Sequence, residues 1–215
     1  MSKAITKAQC LIVLIGRSAM PNLIAVITRL QKNGYVFFIH TEETRKIAEN
    51  LQELLKKKKD LNITSELIKI KSYADPKMVS EELQNKFLYI KNKLPSGNTY
   101  IELNYTGGTK VISAIGFITF KEVFAHYNER LLLSYLDGEQ SKIFINSGNK
   151  EHIIDYSSAE VLFSLEIKDV ADVHKEMISE EYRDKPQKGE DATKYSRDIM
   201  VYIISHIEER EKLVI

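Results

Sequence analysis

The chain of 215 residues has one cysteine, no tryptophan, four prolines and nine glycines. A single thiol, Cys10, excludes an internal disulfide framework and a cysteine-rich zinc site, as suits a reducing compartment. The histidines, at 40, 126, 152, 174 and 206, have no metal-ligand spacing, so no metal site is expected. No apolar run approaches the ~20 residues of a membrane span, and Met1 to Gln9 lacks a basic region followed by a long apolar stretch. A cytoplasmic protein with no membrane association is therefore expected. Excess charge of one sign is missing too. Lys and Arg total 31 against 30 Asp and Glu, a formal charge of +1, which excludes coating of nucleic acid by bulk electrostatics. Direct DNA binding is not expected, and any bound anion must be held by a local site.

What is present is core material: 43% of residues are hydrophobic and 28% charged, enough for one sizeable core and a small appendage. Strand-like and helix-like periods alternate through the first 137 residues, which predicts an α/β fold with a mostly parallel sheet and helices on both faces. Strands are expected at Cys10 to Gly16, Tyr35 to His40, Leu61 to Ile70 and Thr99 to Asn104, with a hairpin formed by Arg130 to Leu136 and Lys142 to Asn146. The helices between them are expected at Met20 to Lys32, stopped by Asn33-Gly34, and from a Thr41 cap to Lys57, with Glu42 and Glu43 in its first turn. Two more are expected from Asp75-Pro76 to Pro95 and over Lys110 to Phe124. Residues 1–156 are taken as the main domain and 157–215 as a helical extension, with a helix around Ile167 to Met177, a linker from Ser179 to Asp191 and a last helix over Ala192 to Glu209.

Two loops carry the chemistry. Asn104-Tyr105-Thr106-Gly107-Gly108-Thr109-Lys110 places two glycines, two hydroxyls and a lysine where a strand becomes a helix. Unpaired N–H groups at a helix start bind phosphate, and glycines let an anion approach them. The same residues also suit an ordinary strand-to-helix turn with a surface lysine. The spacing is not a Walker A loop, since its first glycine and its Gly-Lys-Ser/Thr ending are absent. Ile15-Gly16-Arg17-Ser18, followed by Met20 and Asn22, ends the first strand. With strand order 3-2-1-4, the two loops flank the topological switch point, with His40 and Thr41 at its rim. Alternatively Asn22 only caps the helix and Arg17 is solvated. A dinucleotide site fails, because Gly16 is not followed by Gly-x-x-Gly and no acidic residue ends the second strand at His40. No cofactor is expected. The lysine run 56–59 ends a helix, where the dipole favours cations, and reads as a solvated face.

Together these segments resemble the CRISPR-associated Rossmann fold, or CARF, family of cyclic oligoadenylate sensors, in the branch with Asn-x-Thr-Gly-Gly-Thr-Lys after the fourth strand, here Asn104 to Lys110. Met20-Pro21-Asn22-Leu23, Thr41 to Leu55, Tyr135-Leu136-Asp137, Lys142 to Asn146 and Ser164 to His174 are also similar, so the resemblance covers about residues 8 to 175. It departs from the family pattern at Gly16-Arg17. The resemblance implies a Rossmann-like fold and a homodimer binding cyclic tetra-adenylate or cyclic hexa-adenylate across its twofold axis to switch an effector domain. Gly107, Gly108, Thr109, Lys110 and Arg17 would then hold phosphates, Ile15, Met20 or Tyr105 would meet adenine rings, and His40 and Thr41 would lie nearby. The alternative is a standalone, metal-independent ring nuclease using Lys110, Ser18 or Thr109.

Overall fold

The computed structural model describes residues 6–71, 74–94, 99–148, 150–156 and 167–174. Within these, seven strands form one sheet in the order β3-β2-β1-β4-β5-β6-β7. They are β1 (Ala8–Leu14), β2 (Leu30–His40), β3 (Thr64–Lys69), β4 (Ile101–Asn104), β5 (Leu131–Asp137), β6 (Lys142–Ser147) and β7 (Lys150–Asp155). The first five run parallel, and β6 and β7 are antiparallel additions at one edge. The helices are α1 (Ala19–Arg29), α2 (Arg45–Lys57), α3 (Pro76–Lys93), α4 (Lys110–Val123) and α5 (Ile167–His174). No described helix is long and apolar enough to cross a membrane.

Side chains alternate across a strand, so the central strand β1 feeds two cores. Leu11 and Val13 pack with Val36 and Phe38 of β2 against α1, α2 and Val170 and Val173 of α5. Cys10, Ile12 and Leu14 face the opposite way, with Phe37, Ile101 and Leu103, against Leu83 and Phe87 of α3 and Ile112 and Phe120 of α4. Cys10 is thus a small core hydrophobe, and burial pushes its thiol pKa up. Asp75 caps α3 as expected, accepting from the Lys77 and Met78 N–H groups, with Pro76 at the first helical position.

Several boundaries differ from the sequence expectation. Helix α1 stops at Arg29, and Leu30 already bridges Ala8 as part of β2. Asn33-Gly34 therefore marks an irregularity inside β2 and not the helix end: Asn33 has φ 63, and the register moves from Ala8↔Leu30 to Cys10↔Tyr35. Thr44, not Thr41, is the residue that precedes α2, so Glu42 and Glu43 lie before its first turn, and Glu42 pairs with Lys69 instead. Strand β7 was not anticipated. Helix α5 falls within the expected helical stretch, but it packs into the α1–α2 core. The lysine run at 56–59 is more than a solvated face, since Lys57 and Lys58 form ion pairs with Asp172 and Asp169 of α5. The expected linker from Ser179 and the last helix lie outside the described residues.

Arg29 and Glu102 are both fully buried. Arg29 Nε donates to the two carboxylate oxygens at 2.9 and 3.0 Å, and Nη2 donates to Glu102 at 2.8 Å and to the Thr6 carbonyl at 2.8 Å. Removing one partner strands a charge in the core, which costs about 3–5 kcal/mol. Glu102→Leu or Arg29→Met should each lower the stability measured by urea unfolding by about that amount, and the double variant should recover most of the loss.

Candidate ligand site at the sheet switch point

At the C-terminal edge of the sheet, β1 leads to α1 on one face and β4 leads to α4 on the other. The strands are adjacent and in register, Val13 opposite Asn104, so their loops emerge side by side where the strand order reverses. The loops touch through glycine. A Cβ on Gly107 would overlap the Leu14 carbonyl oxygen and come within 2.5 Å of the Gly16 nitrogen, and a Cβ on Gly16 would lie 3.2 Å from Gly107 Cα. Gly108 has φ +85, a left-handed conformation open to glycine at little cost.

Side chains brace this turn from below. Thr106 Oγ1 accepts from the Leu136 N–H at 2.8 Å, and the Tyr105 N–H donates to the Ser134 carbonyl at 3.1 Å, which ties the loop to β5. Asn104 Nδ2 donates to Ser134 Oγ at 3.0 Å, and Ser113 Oγ donates to the Gly107 carbonyl at 2.7 Å. Thr109 caps α4, accepting from the Ile112 N–H at 3.2 Å. The first amides of α4 thus point outward beside Lys110, which is exposed. Across the glycine contact Arg17 is also exposed, and Ser18 is half-buried. This arrangement can bind an anion through backbone N–H groups, a hydroxyl and one cation from each loop.

The other expected residues sit lower. Ile15 and Met20 are each 2% exposed, with side chains in the α1-side core, so only their backbone borders the loop. Asn22 is buried and donates to the Ser18 carbonyl at 2.8 Å. His40 and Thr41 are buried beside the loop, with the Ile15 N–H donating to the Ile39 carbonyl at 2.9 Å. His40 Nδ1 lies 2.9 Å from the Thr41 carbonyl, which only accepts, so Nδ1 carries the proton. Tyr105 is half-buried, stacked on Tyr135 and edge-on to Phe117. Burial, and then Tyr135, raises its phenol pKa, so the phenol is neutral at physiological pH. Sequence reasoning passed over Ser113 and Ser134, although Ser134 was detectable as a polar break in the apolar strand Leu131–Asp137. The described residues contain no cluster of metal-ligating side chains.

The sequence matches the Card1 CARF domain family over residues 10–169. The chain belongs to the CARF family. No curated protein matches this CARF domain. Among solved structures, one of a type III CRISPR defence DNA nuclease activated by cyclic oligoadenylate superposes with TM-score 0.59 at 14% identity, covering 86% of this chain and 26% of that one. Protein VC1899 from Vibrio cholerae gives 0.52 at 13% identity, with 67% and 35% covered. Can2 from Sulfobacillus thermosulfidooxidans, in complex with cyclic tetra-adenylate, gives 0.50 at 18% identity, with 67% and 37% covered. The chain therefore spans about a quarter to two fifths of the length of these proteins.

The glycine contact leads to a test by substitution. Gly107→Ala should force the CARF loops apart and cost roughly 2–4 kcal/mol by thermal unfolding, as core overpacking and strain do. Gly138→Ala, where a Cβ meets nothing within 4 Å, should change stability by less than about 0.5 kcal/mol.

Proposed function

We propose that this CARF domain is a cyclic oligoadenylate sensor of a type III CRISPR ancillary effector, binding a tetra- or hexa-adenylate ring across a homodimer to switch an effector domain. The observation that carries the reading is the paired loop at the switch point, where Gly107 packs on Gly16 and brings Arg17 and Lys110 to one edge of the sheet. The likeness to Can2, whose structure holds cyclic tetra-adenylate, and to a nuclease activated by cyclic oligoadenylate supports this choice of anion. In this reading the Gly107–Gly108 amides, Thr109, Lys110, Arg17 and Ser18 receive phosphates. Tyr105, the aromatic residue of the second loop, meets an adenine ring, and Asn22, Asn104 and Thr106 hold the loops in place. A ring with rotational symmetry matches an isologous dimer, in which each protomer supplies the same loop.

The dimer has a candidate surface. Tyr135, Phe144 and Ile153 are opposite one another on β5, β6 and β7, so they share one sheet face. Tyr135 is 40% and Ile153 51% exposed, and the row continues through Tyr105 and Phe117 to α4, where Ile118 is 55% exposed. Contiguous exposed apolar surface of this kind favours association. Ile118→Asp with Tyr135→Glu should sediment as a monomer at tens of micromolar and lose ring binding, because each monomer keeps half of the phosphate contacts.

Calorimetry should show cyclic tetra-adenylate or cyclic hexa-adenylate binding orders of magnitude more tightly than AMP, ATP or NAD, since a ring meets both loops without the ordering cost of a flexible chain. Lys110→Ala should weaken binding by roughly 1–3 kcal/mol. Chromatography of the ring after hours with wild type should recover it intact. Conversion to linear products in EDTA, lost in the Lys110 variant, would replace the sensor with the ring nuclease, and ATP binding tighter than both rings would overturn the assignment.

A further inference from the structure

Three buried side-chain polar atoms among the described residues have no hydrogen-bond partner: Asn22 Oδ1, Arg29 Nη1 and Asn104 Oδ1. All three belong to the seam between α1 and β4. Asn22 and Arg29 are separated by close to two helical turns, so they share one stripe of α1. Arg29 reaches Glu102, so that stripe faces β4. Glu102 and Asn104 alternate with Ile101 and Leu103, so they share the α1 face of β4. Because α1 runs antiparallel to β4, Asn22 lies about 10 Å from Arg29 toward the C-terminal edge of the sheet, and Asn104 about 7 Å from Glu102 in the same direction. The two asparagines thus stand at the same end of the seam, beneath the contact of Gly16 with Gly107.

Each amide nitrogen is already engaged. Asn22 Nδ2 donates to the Ser18 carbonyl at 2.8 Å, and a carbonyl only accepts, so this amide has one orientation and its Oδ1 is left for the seam. Asn104 Nδ2 donates to Ser134 Oγ at 3.0 Å, which leaves its Oδ1 on the other side of the amide. Asn22 is 1% and Asn104 0% exposed, so bulk water reaches neither oxygen. A buried acceptor without a donor is costly, and one carbonyl oxygen cannot satisfy another. A metal cation fits poorly, because two neutral oxygens fall short of the roughly six to eight that calcium takes and of the octahedron that magnesium demands. A water molecule has two hydrogens, one for each oxygen.

We propose that the seam binds one water molecule, which donates one hydrogen to Asn22 Oδ1 and the other to Asn104 Oδ1. Buried waters are held by about two to four polar partners of this kind. Through this water the first loop is joined to the second below the glycines. The path runs from the Ser18 carbonyl to Asn22, across the water to Asn104, and on to Ser134, whose carbonyl accepts from the Tyr105 N–H. Asn22 and Asn104 are then positioning residues that act as a pair, and they hold Ser18 and Arg17 in place against the loop of Lys110. Arg29 Nη1 lies toward the opposite end of the seam, in the ion pair with Glu102, and takes no part. The inference does not depend on the sensor reading.

The test is rotating-frame Overhauser spectroscopy at the water resonance, on the nitrogen-15-labelled full chain with no ligand added. The side-chain amide hydrogens of Asn22 and Asn104 are each expected to show a cross-peak to water with the sign of dipolar contact, opposite to that of chemical exchange. Asn22→Leu removes one acceptor and fills its place with apolar atoms, so the peak at Asn104 is expected to fall at least about fivefold. Thr28→Val, on another face of α1 where the hydroxyl bonds the Ile24 carbonyl, should leave both peaks at the wild-type intensity. Should Asn22→Leu prove unfolded by circular dichroism, Asn104→Leu read at Asn22 serves in its place. Absence of the water peak at either asparagine of the wild type overturns the proposal. A direct contact between the two amides, with Asn104 turned so that its Oδ1 accepts from the Ser134 hydroxyl, overturns it as well, and so does a peak at Asn104 that Asn22→Leu leaves unchanged.

Discussion

The backbones of Gly16 and Gly107 lie against each other where β1 and β4 give way to helices on opposite faces of the sheet, with no room for a Cβ on Gly107. That contact closes the switch point and sets the distance between the loops. Because one loop leads to α1 and the other to α4, their exposed cations, Arg17 and Lys110, approach the same edge from two sides. The hydrogen bonds of Thr106, Ser113 and Thr109 hold the second loop in this shape. They leave the first amides of α4 facing outward, without partners inside the helix.

Beneath the loops the two faces of the sheet differ. The α3–α4 side is apolar and aromatic: Phe87, Phe120 and Phe124 meet edge-on or tilted with centroids 4.9 to 6.2 Å apart, a rigid floor for α4. The α1–α2 side adds buried polar groups to its apolar core. Glu102 and Asn104 alternate with Ile101 and Leu103 along β4, and Glu102 holds Arg29 at the far end of α1. A buried ion pair adds little net stability over an apolar pair, yet it penalises any register that separates the charges. It aligns α1 on β4, and hence Ser18 and Arg17 above it.

Much of this architecture was legible in the chain. The uninterrupted apolar run of β1, the Asp75-Pro76 helix start and the Thr-Gly-Gly-Thr-Lys turn report local requirements: burial on both faces, a cap, a backbone free of Cβ. The edge strand β7 was not legible, because Lys150-Glu151-His152-Ile153-Ile154-Asp155 offers two apolar residues and no alternation. Edge strands are paired on one side only and carry charge against aggregation, which erases the pattern. The end of α1 was misplaced for a related reason. Leu30 is drawn into pairing with Ala8, and a tertiary bridge outweighs the helical periodicity that continues through it.

The sequence by itself determined most of the element types and the strand-to-helix loops with their glycines, since each depends on residues close together in the chain. Only the tertiary structure decided which candidates face outward. Ile15, Met20 and Asn22 belong to the same sequence neighbourhood as Arg17, but the helix turns them into the core. The partners of Arg29 and of Lys58 were likewise undetermined, because Glu102 lies 73 residues from Arg29 and Asp169 belongs to another helix. Charge pairing over such separations is chosen by the packing of the sheet and its helices, which brings the side chains together and excludes water from them.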